Sequence, residues 1–345
     1  MSRTFSLLFF VLIVSTVVVF LYKNYHSDNK NVVNVFSSRK EELLRDVFQR
    51  FTEKTGIKVR YINDDAAQLI SRMESEGSYG NGDVFLTADA VNLILAKKKG
   101  LLQEVNSKIL NEAIPQKYRD AKGYWFGLTK RARIIVYNKE LVSSKELSTY
   151  EDLANVKWKD KILVRSSNSP YNQSLIAFMI ANNGEKNTRA WVRGLVNNMA
   201  RKPSGGDTDQ IYAVAAGEGS IAIVNSYYFG RILMSQKEKD KQFAKKLSIF
   251  FPNQNTTGVM INISGGAVTK YAKNKEGAIK LLEFLISTEA QKIYSEANQE
   301  YPIIDIGYSD ILKSWGTFKE SDLPLQELEN YLKQSVKIAD EEGWK

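Results

Sequence analysis

Three tyrosines and a pair of arginines are the residues of this 345-residue chain whose types and spacing could do chemistry. Tyr227 and Tyr228 are adjacent, in Asn225-Ser226-Tyr227-Tyr228-Phe229-Gly230, directly after the apolar run Ile221-Ala222-Ile223-Val224. The run reads as a buried strand and its continuation as the first turn of a helix, the edge at which open α/β sheets bind ligands. Adjacent helical side chains diverge by about 100°. Both phenols therefore reach one ion only at a helix start or an irregular turn, which Ser226 as a cap would supply. Tyr171 closes the segment Ser166-Ser167-Asn168-Ser169-Pro170-Tyr171, after a strand ending at Val164. Serine and asparagine cap helices, and the free amides of a helix start attract anions. In Lys130-Arg131-Ala132-Arg133, an extended backbone turns both arginines to one side. Paired guanidiniums suit a carboxylate, carbonate or phosphate.

The residues alone leave two readings open for the phenols. In one, Tyr171 packs on a neighbour and the tandem pair divides between core and surface. In the other they form a hard oxygen site for a highly charged cation, since phenolate suits such ions and suits soft metals poorly. Tyrosine ionises near pH 10, so a metal must displace its protons and affinity must fall with acid. Three phenolates and a dianion balance better against Fe(III) and a guanidinium than against Mg(II) or Ca(II).

What the chain lacks narrows the chemistry further. It has no cysteine, which removes disulfides, thiolate metal sites and cysteine nucleophiles. Its one histidine, His26, falls near the N-terminus, so histidine metal sites and Ser-His-Asp catalysis are excluded from the body. A composition of 43% hydrophobic and 25% charged residues fits a globular protein. The net charge of +9 comes from lysines scattered along helical stretches, such as 97–99 and 237–246, which read as solvated faces. Nucleic-acid binding is not expected.

These side chains need a scaffold, and the sequence outlines one. Phe5 to Tyr22 is apolar and uncharged, long enough to span a bilayer, with no small-x-small cleavage site after it. Residues 1–30 read as an uncleaved signal anchor with a juxtamembrane linker rather than a cleaved signal peptide, which tethers an exported body. From residue 31, strands and helices alternate: strand 31–35, a helix with Leu43, Leu44, Val47, Phe48 and Phe51 on one face, strand 57–62, helix 66–77 and strand 83–87. The alternation restarts after an extended run at 130–138, with strand 161–164, helices 175–182, 188–199 and 210–216, and strand 220–224. Extended stretches at 248–251 and 265–268 and helices at 276–286 and 325–340 complete it. This is the rhythm of α/β units on a mostly parallel sheet. Two such units joined by two extended crossings would enclose a cleft.

The chain resembles the periplasmic ferric-iron-binding proteins of bacterial ABC transporters. The likeness covers about residues 31–345 and rests on Phe36-Ser-Ser-Arg39, Thr55-Gly-Ile-Lys-Val59, Asp83-Val-Phe-Leu-Thr-Ala-Asp89, Trp125-Phe-Gly-Leu-Thr-Lys-Arg-Ala-Arg133, Val164-Arg-Ser-Ser-Asn-Ser-Pro-Tyr171, Gly205-Gly-Asp207, Asn225-Ser-Tyr-Tyr228, Asn262-Ile-Ser-Gly265 and Trp315-Gly-Thr-Phe318. The resemblance implies a two-lobed periplasmic-binding-protein fold with two interlobe crossing strands. Lobe 1 would take residues 31–128 with 255–308, and lobe 2 residues 129–254 with 309–345. It implies Tyr171, Tyr227 and Tyr228 as Fe(III) ligands, with a carbonate or bicarbonate held by Arg131, Ser167 and Asn168, and Arg39 reaching the anion on closure. It further implies no catalysis, a monomer in the periplasm, and delivery of iron to an inner-membrane ABC permease. Some relatives carry a histidine, or a histidine-tyrosine pair, after the Ser-Arg, where this chain has Lys40-Glu41. That departure resembles the subgroup that binds iron through three tyrosines and carbonate. Glu41 is then either a further ligand from lobe 1 or a solvated acid in the first turn of its helix. The alternative function is an organic-anion or phosphate binder using the same cleft without iron.

Overall fold

The computed structural model describes residues 31–345. The expected apolar helix at 5–22, and the tether it would provide, lie outside the described residues. Among the described residues no helix is long and apolar enough to cross a membrane.

The strands are β1 (Val32–Ser37), β2 (Lys58–Asn63), β3 (Val84–Thr87), β4 (Phe126–Asn138), β5 (Ile162–Leu163), β6 (Ile221–Asn225), β7 (Leu247–Phe250), β8 (Ile261–Val268) and β9 (Tyr301–Pro302). They form one sheet in the order β2-β1-β3-β8-β4-β6-β5, with β7 and β9 also paired to β4. The helices are α1 (Arg45–Thr55), α2 (Ala66–Glu76), α3 (Ala90–Lys98), α4 (Lys108–Ala113), α5 (Pro170–Asn197), α6 (Asp207–Ala216), α7 (Ser226–Met234), α8 (Glu238–Lys246), α9 (Lys275–Leu285), α10 (Thr288–Asn298), α11 (Asp310–Ser314) and α12 (Leu332–Glu341). The mixed α/β architecture expected from the sequence is present.

Strand β4 organises the molecule. Its residues 126–132 pair antiparallel with β8, and from Arg133 onward it pairs with β6 and β7. Ile134, Ile135 and Val136 are fully buried, and burying such side chains contributes about 1.5–3 kcal/mol each. One half of the sheet, β2-β1-β3-β8, is thus joined through a single strand to the other, β6-β5 with β7. Helix α1 packs Val47, Phe48 and Phe51 inward and ends at Gly56, whose left-handed backbone (φ 71°) forms the C-cap.

The structure differs from expectation in several places. The sheet is mixed rather than mostly parallel, since β4 pairs antiparallel with β6, β7, β8 and β9, and β3 antiparallel with β8. The expected helices 175–182 and 188–199 are present as the two parts of α5, separated by the non-helical backbone of Gly184 (φ +75°), and the first begins at Pro170 rather than Leu175. Strand β8 begins at Ile261 rather than Gly265, because residues 261–264 continue the ladder on β4. The expected helix from Leu325 opens as a 3-10 segment (Leu325–Tyr331) and becomes α-helical only at Leu332. Helix α10, unforeseen in the sequence, buries Tyr294 and Gln291 beneath β9 and β4. The C-terminus folds back onto α5, with Trp344 against Trp191 edge-on at 6.3 Å and Arg189 paired to Glu341.

Candidate metal centre

Two helix starts deliver the tyrosines. Ser169 caps α5, accepting from the Tyr171 amide at 3.3 Å, and Pro170 occupies the first helical position. Helix α7 follows β6 without a loop. Its N-cap is Asn225 rather than the expected Ser226, whose hydroxyl instead accepts from the Ala132 amide on β4. The start of α7 is thereby pinned to the central strand. Its middle is pressed against residue 299, since a Cβ at Gly230 would lie 2.6 Å from that of Gln299.

Tyr171, Tyr227 and Tyr228 line one cleft of about 530 Å³. The Tyr227 and Tyr228 rings stack with centroids 4.1 Å apart and planes 30° from parallel. Adjacent phenols therefore face the same way, as the irregular start of a helix permits. Burial, then the Tyr171 and Tyr228 phenols, push the Tyr227 hydroxyl well above the usual tyrosine range, against the pull of Arg131. Tyr228 is raised likewise, by burial, Tyr171 and Asp207. Tyr171 lies close enough to oppose the ionisation of both tandem phenols.

Arg131 is the cation over them, 5.5 Å from the Tyr171 ring centroid and 6.0 Å from that of Tyr227. Its Nη1 donates to Ser264 Oγ at 2.7 Å and its Nη2 to the Ile263 carbonyl at 2.8 Å, while Nε has no partner. Arg39, also buried, donates from Nη2 to Glu300 Oε2 at 2.6 Å, and its Nε and Nη1 have no partner. The other oxygen of Glu300 accepts from Ser264 and lies 3.9 Å from Arg131. Asp89 closes the floor, accepting from Val91, Ser174 and Asn262. Burial pushes its carboxyl up to about 6, against the pull of Arg131 and those donors.

Arg131 and Arg133 do not form the anion-binding pair that their spacing suggests. They flank the point at which β4 changes partners, so Arg131 goes to β8 while Arg133 is buried against Asp207 and Asn172, at 2.7 Å each. Ser167 and Asn168 do not line the cleft either. The Ser167 hydroxyl donates to the Trp344 carbonyl, and both residues border a separate hollow with Lys333 and Lys337. The returning C-terminus, remote in sequence, turns that serine away. Glu41 also lies outside the cleft: its carboxylate accepts from Arg45 at 3.1 Å and interacts with Tyr61. Lys40 is the residue of that pair that faces the cleft.

Several cleft residues were not foreseen in the sequence. Glu300 comes from the link after α10, 261 residues from its partner Arg39, and no local pattern marks it. Arg165, 5.3 Å from the Tyr171 ring, and the rim acids Asp64 and Asp65 were likewise missed. A strand end at Val164 followed by a charged residue was the available signal for Arg165.

Residues 46–308 match the model of the bacterial extracellular solute-binding proteins. The chain belongs to that family. Within it, the chain is 43% identical over 314 residues to iron uptake protein A1 of a Synechocystis strain, covering 91% of this chain and 87% of the relative. Two solved structures share its fold across 91% of this chain and the whole of each. One is a Trichodesmium protein in complex with iron and citrate ligands (TM-score 0.87, 47% identity), the other the ferric binding protein of Campylobacter jejuni (TM-score 0.88, 44% identity). The resemblance to ferric-binding proteins drawn from the motifs therefore holds across this solute-binding fold.

Proposed function

We propose that the chain captures Fe(III) through Tyr171, Tyr227 and Tyr228, together with a synergistic anion, and catalyses nothing. The observation that carries this reading is the convergence of three phenols from two helix starts on one cleft, beneath the Arg131 guanidinium. Phenolates beside a guanidinium are hard, anionic donors matched to a trivalent cation. Relatives named for iron uptake and for ferric binding support the choice of metal. The anion, carbonate or a carboxylate such as citrate, would meet Arg131 and Arg39, whose unpartnered nitrogens are buried at the cleft. The Trichodesmium complex with iron and citrate favours a carboxylate as one such anion.

In this reading the body works as a monomer in the periplasm, tethered to the inner membrane by residues 5–22, and passes iron to an ABC permease. Lobe 1 (31–128 with 255–308) and lobe 2 (129–254 with 309–345) close on the cleft. The change of β4 partners at Ala132 and the packing of the C-terminus on α5 support that division. A metal assay on purified protein tests the reading: about one iron per chain is expected. A metal-free protein that retains phosphate or an organic anion would favour the anion-binding alternative.

A further inference from the structure

Glu300 is placed where a synergistic anion would have to bind. It is 1% exposed, lines the cleft, and stands between Arg39 and Arg131, two of the three arginines that line it. Its Oε2 is 2.6 Å from Arg39 Nη2, and its Oε1 is 3.9 Å from Arg131 Nη1, with the Ser264 hydroxyl donating to the same oxygen at 3.3 Å. Arg39 Nε, Arg39 Nη1 and Arg131 Nε are buried without partners. The guanidiniums thus retain donors that an anion could use, but the Glu300 carboxylate already faces both. Two arginines face two carboxylates, Glu300 and Asp89, at the floor of the cleft.

We propose that Glu300 is a built-in counter-anion that makes anion binding depend on iron. A small anion entering alone meets donors but also the nearby Glu300 charge, and like charges at this range disfavour one another strongly in a buried site. An anion arriving with Fe(III) gains a direct bond to a cation, which outweighs that repulsion. The coupling is reciprocal: by whatever factor iron tightens the anion, the anion tightens iron. This rests on the reading of the cleft as a site for iron and an anion. It assigns Glu300 a role distinct from simply anchoring the loop that carries Arg39.

The experiment is a calorimetric titration of inorganic phosphate into the iron-free, full-length protein. Glu300→Gln keeps the shape and an acceptor oxygen for Arg39 while removing the charge. It is expected to bind phosphate about tenfold or more tighter than wild type. Glu300→Asp keeps the negative charge but draws it back by one methylene, and is expected to shift the same way by roughly threefold. The Asp variant also decides the matter should the Gln variant not fold. Phosphate affinity at the wild-type level in every variant that folds overturns the proposal, because a purely structural ion pair leaves anion affinity unmoved. A parallel titration with ferric citrate keeps the two readings apart. Wild type that binds no iron removes the iron reading, while the phosphate series still measures whether Glu300 repels anions.

Discussion

A buried phenol beside two others does not ionise at neutral pH unless a cation takes the place of its proton. Tyr227 and Tyr228 are held above the ordinary tyrosine range chiefly by burial, and Tyr171 opposes both. Iron binding at pH 7 must therefore expel the protons of the phenols it engages. Each expelled proton makes apparent affinity fall about tenfold per unit of acidification, up to roughly a thousandfold for three. Iron affinity measured against a competing chelator from pH 8 to pH 6 should show that steep slope, and a flat profile would speak against phenolate ligation. The tyrosines and Arg131 were legible in the sequence because a helix start and a strand are local features. Glu300 was not, since its partner is 261 residues away. Ser167 lies outside the cleft for a related reason, its contact with Trp344 being remote in sequence, whereas Glu41 takes the solvated first-turn place also open to it, paired with Arg45 one turn on.

At the level of elements, the geometry depends on how firmly α7 is held to β4. Asp207, at the first position of α6, accepts from Arg133 Nη1 at 2.7 Å and from the Asn225 amide at 2.8 Å. It thus ties the central strand to the residue that caps the tandem tyrosines. Removing one partner of a buried ion pair leaves the other charge uncompensated, at about 3–5 kcal/mol. Asp207→Ala should destabilise the protein by that amount in urea unfolding and weaken iron binding as α7 loosens. A loss under 1 kcal/mol would contradict the bracing role. The strand and helix starts were readable from apolar runs and capping residues, whereas the swap of cap from Ser226 to Asn225 was not. Ser226 is drawn off by the Ala132 amide, a partner from another strand.

Across the whole molecule, the alternation of strands and helices revealed the fold class, and the long extended run at 130–138 revealed the strand that joins the two halves of the sheet. The sequence pattern did not show that β8 starts four residues early or that β4 pairs antiparallel with all its neighbours. Ladder pairing decides those points and leaves apolar periodicity unaltered. The same scaffold brings Tyr171 and the Tyr227-Tyr228 pair, 56 residues apart in sequence, to one cleft with arginines from β4 and from the end of β1. A site assembled from four segments binds only when all four are in register, so its signal should disappear with any one phenol. The decisive measurement is the visible spectrum of the full-length protein mixed with ferric citrate and bicarbonate. A phenolate-to-iron charge-transfer band is expected in wild type and should be lost in Tyr227→Phe and in Tyr228→Phe. A wild-type protein that stays colourless, or a band that survives both substitutions, would contradict iron capture by the tandem tyrosines.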